Sequence, residues 1–172
     1  SCLMLNPVFQ SSSHGYDTID YLTLDRRLGT NDDLRALVDA CHEAGIKVLL
    51  DAVLNHVGRD FWAFRDVLQN REASPYAGWV NIDWGGNDGL SYECWQGVPY
   101  LVKLNHSDFA LNDYLADVIR QWEREFDVDG LRLDVAYCLD RGYLAYLRRI
   151  ANELTEARRG RLGERDAEFV LV

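Results

Sequence analysis

An arginine and an aspartate two residues apart on one strand are the first chemistry this sequence offers. In "DGLRLDVAYCLD" (Asp129 to Asp140), Leu131, Leu133 and Val135 alternate with Arg132 and Asp134. Residues two apart on a strand point the same way, so the guanidinium and the carboxyl stand side by side. A fixed cation favours the ionised carboxylate. An anionic aspartate beside a substrate can act as a nucleophile or stabilise a developing cation. The plain alternative is a buried structural ion pair, or an Asp134 that caps the next helix.

A second polar cluster weighs against coincidence. In "DAVLNH", Asp51, Val53 and Asn55 share one strand face, and His56 follows where the strand ends. Singly, Asp51 reads as a partner for Arg132, Asn55 as a turn residue and His56 as a loop histidine. Two strand ends carrying Asp, Asn, His, Arg and Asp exceed what a core requires. His14, Asp51, His56 and Asp134 could instead ligate a metal. The paired histidines such barrels favour are missing, however, and Arg132 would repel a cation, so no metal site is expected.

The elements that must position these residues read as strand, helix, strand, long insert, helix, strand, helix, strand. "CLMLNPVF" is the first strand. Leu34, Leu37, Val38 and Cys41 recur at helical spacing, with a capping box at Thr30 and Asp33 and a stop at Gly45. Ile46 to Val53 is a nearly all-apolar run, the pattern of a strand covered on both faces. From Asn55 to about Asn105 no clear period appears, and the segment is rich in Trp, Tyr, Gly and Asn. Trp79, Trp84, Tyr92, Trp95 and Tyr100 suit the core of a small inserted subdomain, or, where exposed, platforms for sugar rings. Leu111, Leu115, Val118, Ile119, Trp122 and Phe126 mark one helix face; Leu144, Leu147, Ala151 and Leu154 mark another; Phe169 to Val172 is a last strand. This alternation predicts a parallel α/β fold. No glycine-rich phosphate loop follows a strand, and polar strand ends point to part of a (β/α)8 barrel.

The 172 residues carry a formal net charge of −10, which argues against a nucleic-acid partner. No apolar run reaches membrane-spanning length. The four cysteines have no paired spacing, and reduced thiols are the simpler reading. Oligomeric state and compartment stay open, with the cytoplasm slightly favoured. The chain opens and stops inside strand-like runs, and so reads as a fragment of a longer protein, poorly soluble and inactive alone. Glu164 and Glu168 precede the last strand, at its end away from the site.

The motifs resemble the α-amylase superfamily, glycoside hydrolase family 13, nearest to its cyclomaltodextrinase- and neopullulanase-like members. "DAVLNH" is similar to the signature ending its third barrel strand, and "GLRLDVAYC" to the fourth-strand signature. "HGYDTIDY" resembles the segment after the second strand, and "LVKLN" the motif closing the domain inserted after the third. The resemblance implies that residues 1–172 form about strands 2 to 5 of the catalytic (β/α)8 barrel, with a domain-B-like insert at about 57–105. It implies an α-glucan or oligosaccharide substrate and retaining hydrolysis or transfer at α-glucosidic bonds. Asp134 would be the nucleophile and Arg132 its orienting cation. His14 and His56 would hydrogen-bond the sugar, Tyr16 would stack beneath it, and Asp51 would hold Arg132. The acid/base glutamate is expected within a few residues after Val172. No cofactor is required, although Asn55 matches a position that binds calcium in some members. Tyr137-Cys138 departs from the Lys-His or Asn-Glu that members carry after the nucleophile, which leaves acceptor-side specificity open. The competing reading is a catalytically silent barrel used for binding or assembly.

Overall fold

The computed structural model describes residues 1–86, 90–162 and 167–172. Glu164 lies outside the described residues. Four parallel strands form the main sheet in the order β1 (Cys2–Leu5), β2 (Lys47–Ala52), β7 (Gly130–Leu133) and β8 (Val170–Leu171). Between them run the helices α1 (Asn31–Glu43), α3 (Phe109–Phe126) and α4 (Arg141–Leu162). The fold is thus α/β with a parallel sheet, as the alternation predicts.

Local chemistry sets the helix ends. Thr30 and Asp33 form the expected capping box at the start of α1. The chain leaves that helix through Gly45, whose φ of 71° suits a residue without a Cβ. Leu34, Val38 and Cys41 are buried, but Leu37 is exposed, so the apolar face is narrower than its spacing suggests. Asp108 caps α3 by accepting from the Leu111 amide at 3.0 Å. The helix then buries Leu111, Leu115, Val118, Ile119, Trp122 and Phe126. Trp122 stacks on Phe9 with centroids 4.6 Å apart and donates its indole N–H to the Tyr21 carbonyl at 2.6 Å. Burying a side chain of this size stabilises the fold by roughly 2–3 kcal/mol.

The insert is more regular than its sequence. A helix α2 (Trp62–Asn70) buries Ala63, Phe64 and Val67 where no period was expected. β3 (His56–Gly58) pairs antiparallel with β6 (Leu101–Lys103), and β4 (Ile82–Asp83) pairs with β5 (Ser91–Tyr92). Trp79 is buried, while Tyr100 is 50% exposed. The four cysteines are free thiols. Among the described residues no helix is long and apolar enough to cross a membrane.

At the end of the sheet where the helices run back into strands, Asp129 gathers charge. It accepts from the Val48 amide, His42 Nε2 and Arg158 Nη2, each at 2.8 Å, and lies 3.2 Å from Lys47 Nζ. Arg158 is fully buried in α4 and also contacts Glu123 and Asp127 at 3.3 Å.

Candidate active site

Register across the central strand pair brings the two polar clusters together. Asp51 on β2 stands directly opposite Arg132 on β7. Gly130 permits that approach on the other side: a Cβ there would lie 2.2 Å from the Val170 carbonyl oxygen. Arg132 Nη1 lies 2.9 and 3.0 Å from the two oxygens of Asp51 and 2.7 Å from Asp134 Oδ1. Asp134 is buried, and its amide donates to the Ala52 carbonyl at 3.1 Å, fixing it to the end of β2. Val135 follows with φ 42° and ψ 44°, a left-handed conformation that is costly for a β-branched residue. The strand therefore turns sharply just after the carboxylate. Asp134 does not cap the next helix; Asp140 does, accepting from the Gly142 and Tyr143 amides.

Tyr16 comes from the long loop after β1 and donates its hydroxyl to Asp51 Oδ2 at 3.2 Å. Both Asp51 oxygens are thus occupied. Burial pushes the Asp51 carboxyl above its ordinary value, against the opposing pull of Arg132. Burial and the neighbouring Asp51 raise the Tyr16 hydroxyl as well. His14 is exposed, accepts from the Tyr16 amide through Nδ1, and has its ring 6.0 Å from that of Tyr100. Gly58 lets this loop pack on β3, since a Cβ there would lie 2.5 Å from the Asp17 carbonyl oxygen.

Two expectations change at the end of β2. The strand stops at Ala52, so Asn55 does not continue the Asp51 face. Asn55 is buried, with its side-chain nitrogen 3.1 Å from His56 Nδ1 and its side-chain oxygen without a partner. His56 is 1% exposed rather than a loop residue; its ring stacks on Trp95 at 5.6 Å, and Nε2 has no hydrogen-bond partner. Burial drives its imidazole down to about 4, against a smaller upward pull from the Tyr16 backbone. The orphan Asn55 oxygen is a hard donor of the kind calcium takes. Among the described residues no group of three or more His, Cys, Asp or Glu converges to complete such a site, and hard cations need several oxygens.

The chain matches a known family. Residues 1–157 match the family described as "Alpha amylase, catalytic domain". This chain belongs to the α-amylase family. Over 156 residues, 88% of its length, this α-amylase-family chain is 41% identical to a cyclomaltodextrinase of Geobacillus thermopakistaniensis, covering 26% of that protein. It is 42% identical to neopullulanase 2 of Thermoactinomyces vulgaris, over 90% of the chain and 27% of the relative. The ligand-free cyclic α-maltosyl-(1→6)-maltose hydrolase of Arthrobacter globiformis superposes with a TM-score of 0.79 at 33% identity, over 99% of this chain and 37% of that one. The chain spans about a quarter of the length of the curated relatives it matches.

Proposed function

We propose that the full-length protein is an enzyme acting on α-glucosidic bonds of maltooligosaccharides, cyclodextrins or related α-glucans. In this reading the four parallel strands are strands 2 to 5 of a (β/α)8 barrel, and residues 57–105 form its domain-B-like insert. Asp134 is the nucleophile. The observation that carries the reading is the single Arg132 nitrogen shared between Asp51 and Asp134 at the ends of adjacent parallel strands. In barrel enzymes the chemistry sits at that end of the strands.

The reaction is double displacement with retention. An Asp134 oxygen bonds the anomeric carbon as the bond to the leaving oxygen breaks, and a second carboxyl protonates that oxygen. Water then releases the sugar, giving its proton back to the second carboxyl. The two carboxyls of a retaining pair stand about 5 Å apart. Asp51 is unsuited to the acid role because both its oxygens accept hydrogen bonds from Arg132 and Tyr16. The acid is expected from a glutamate after Val172. Glu168 is exposed before β8, away from the strand end that carries Asp134. Arg132 holds Asp134 oriented, Asp51 and Tyr16 hold Arg132, and His14, His56 and Tyr16 contact the sugar. The residues described require no cofactor.

The deciding experiment treats the full-length protein with a cyclodextrin or maltooligosaccharide and follows the product anomer by NMR. Initial release of the α-anomer supports the reading. Release of the β-anomer excludes retention, and a folded protein that cleaves no α-glucan excludes the activity.

A further inference from the structure

His106 lies between β6 and α3, outside the cluster above, and both its ring nitrogens face oxygen. Nε2 is 2.9 Å from the Leu54 carbonyl, and Nδ1 is 3.0 Å from Asn112 Oδ1. Asn112 is buried in the first turn of α3 and donates its amide nitrogen to the His106 carbonyl at 2.8 Å. That bond fixes the amide, because turning it over would set oxygen against oxygen. The ring lies flat on Tyr143 in the first turn of α4, with centroids 3.7 Å apart and planes 15° apart. Tyr143 is itself buried.

Each element that meets on this ring leads into the site. Leu54 immediately precedes Asn55 and His56. The helix bearing Tyr143 follows the turn that starts at Asp134. His106 itself closes the insert just after β6, whose Lys103 pairs with His56. Two polar atoms of the His56 segment, Asn55 Oδ1 and His56 Nε2, have no side-chain partner among the described residues. We infer that His106 is a positioning residue, clamping Leu54 to Tyr143 so that the His56 side of the site keeps its place against the Asp134 side. The inference rests on the site proposed above.

A carbonyl only accepts, so the Leu54 contact requires the proton on Nε2. Burial lowers the affinity of the ring for a second proton; Lys103 adds to that, while Asn112, the Leu54 carbonyl and Asp140 oppose it. With the proton on Nε2, a neutral ring leaves Nδ1 and Asn112 Oδ1 as two acceptors, so that contact adds nothing to the clamp. The Leu54 bond and the Tyr143 stack then carry the clamp.

Two variants of the full-length protein separate positioning from packing. His106→Phe keeps a ring on Tyr143 but has no donor for Leu54. His106→Gln restores a donor without the ring. We expect His106→Phe to lower kcat on β-cyclodextrin about tenfold with KM changed by less than about threefold, and His106→Gln to recover most of the loss. The His56 ring resonances, read by histidine-selective labelling, should shift in His106→Phe and return in His106→Gln. Unchanged kcat in a folded His106→Phe overturns the inference, and so does an equal loss in both variants that tracks Tm. If wild-type protein turns over no α-glucan, the functional reading fails and the His56 resonances decide: displaced supports the clamp, undisplaced overturns it.

Discussion

Arg132 Nη1 sits 2.9 and 3.0 Å from the two oxygens of Asp51, its register partner on the neighbouring strand. The same nitrogen reaches Asp134, so one guanidinium orients two carboxylates. A purely structural pair would need only one of them. Arg132 holds Asp134 through Oδ1, and Oδ2 is the atom proposed to attack.

Asp134→Asn in the full-length protein should lower kcat on a maltooligosaccharide by at least about a thousandfold. Binding of the same sugar should persist, because the amide keeps the shape and loses only the attacking charge. Calorimetry with the variant and an uncleaved oligosaccharide measures the second half. A variant with near-normal turnover would remove Asp134 from the mechanism.

Arg132→Leu leaves Asp51 and Asp134 facing each other without a cation. We expect a loss of about 1–3 kcal/mol at neutral pH, less than for a fully buried pair because a third of the Arg132 side chain is open to solvent. The sign of the pH dependence follows from Asp51, whose carboxyl burial already raises. A raised carboxyl favours the fold below its unfolded pKa and loses that contribution as pH rises through its folded pKa. Without Arg132 it rises further, so the deficit should be largest at neutral pH and shrink on acidification. Urea melts of both proteins across pH 4 to 8 test this; a deficit that is flat with pH would show that the two side chains are uncoupled.

Much of this arrangement was legible in the sequence, and what was not has physical reasons. Strand period two put Arg132 and Asp134 on one face, and the capping box at Thr30 and the apolar face of α3 located their helices. α2 escaped because it is short, begins at Phe61 without a side-chain cap, and sits among aromatics that mask its period. The continuation of β2 to Asn55 was misread because alternation persists for three residues after the ladder ends at Ala52. His106 carries no sequence signal at all. Its partners Leu54, Asn112 and Tyr143 are brought together only by tertiary packing, and the same holds for Arg158 with Asp129.

Arg158→Leu tests the charge cluster at the opposite end of the sheet. Removing a buried cation takes one partner from Asp129, Glu123 and Asp127, and should cost about 3 kcal/mol, the low end for a broken buried pair because Lys47 and Arg161 remain. Burial opposes ionisation of Asp129, but the Val48 amide, His42 and Lys47 together hold its carboxyl below the ordinary value. A lowered carboxyl stabilises the fold above its unfolded pKa, and that contribution is lost as pH falls through the folded pKa. Wild-type protein should therefore lose stability below about pH 4, and Asp129→Asn should show a weaker dependence there. Calorimetric melts of the three proteins from pH 3 to 7 make the comparison. An Arg158→Leu variant within about 0.5 kcal/mol of wild type would mean that the cluster adds nothing to stability.

His56 gives the last prediction, and its sign runs through a different window. Its imidazole is held down to about 4 by burial, so it is neutral in the fold at any pH above that value. In the unfolded chain it protonates near its ordinary value of about 6.5. A depressed histidine leaves stability intact above the unfolded pKa and removes it as pH falls toward the folded pKa. Stability should therefore decline between about pH 6.5 and 4, by up to roughly 3 kcal/mol from this one group. His56→Asn should flatten that decline, since asparagine has no proton to gain. The variant should also lose activity through whole pH range, because an amide cannot place a donor where Nε2 points. Chemical denaturation of wild type and His56→Asn at pH 7, 5.5 and 4.5 reads the first effect. Equal pH slopes in the two proteins would show that His56 protonates as readily folded as unfolded, and would contradict its burial against Trp95.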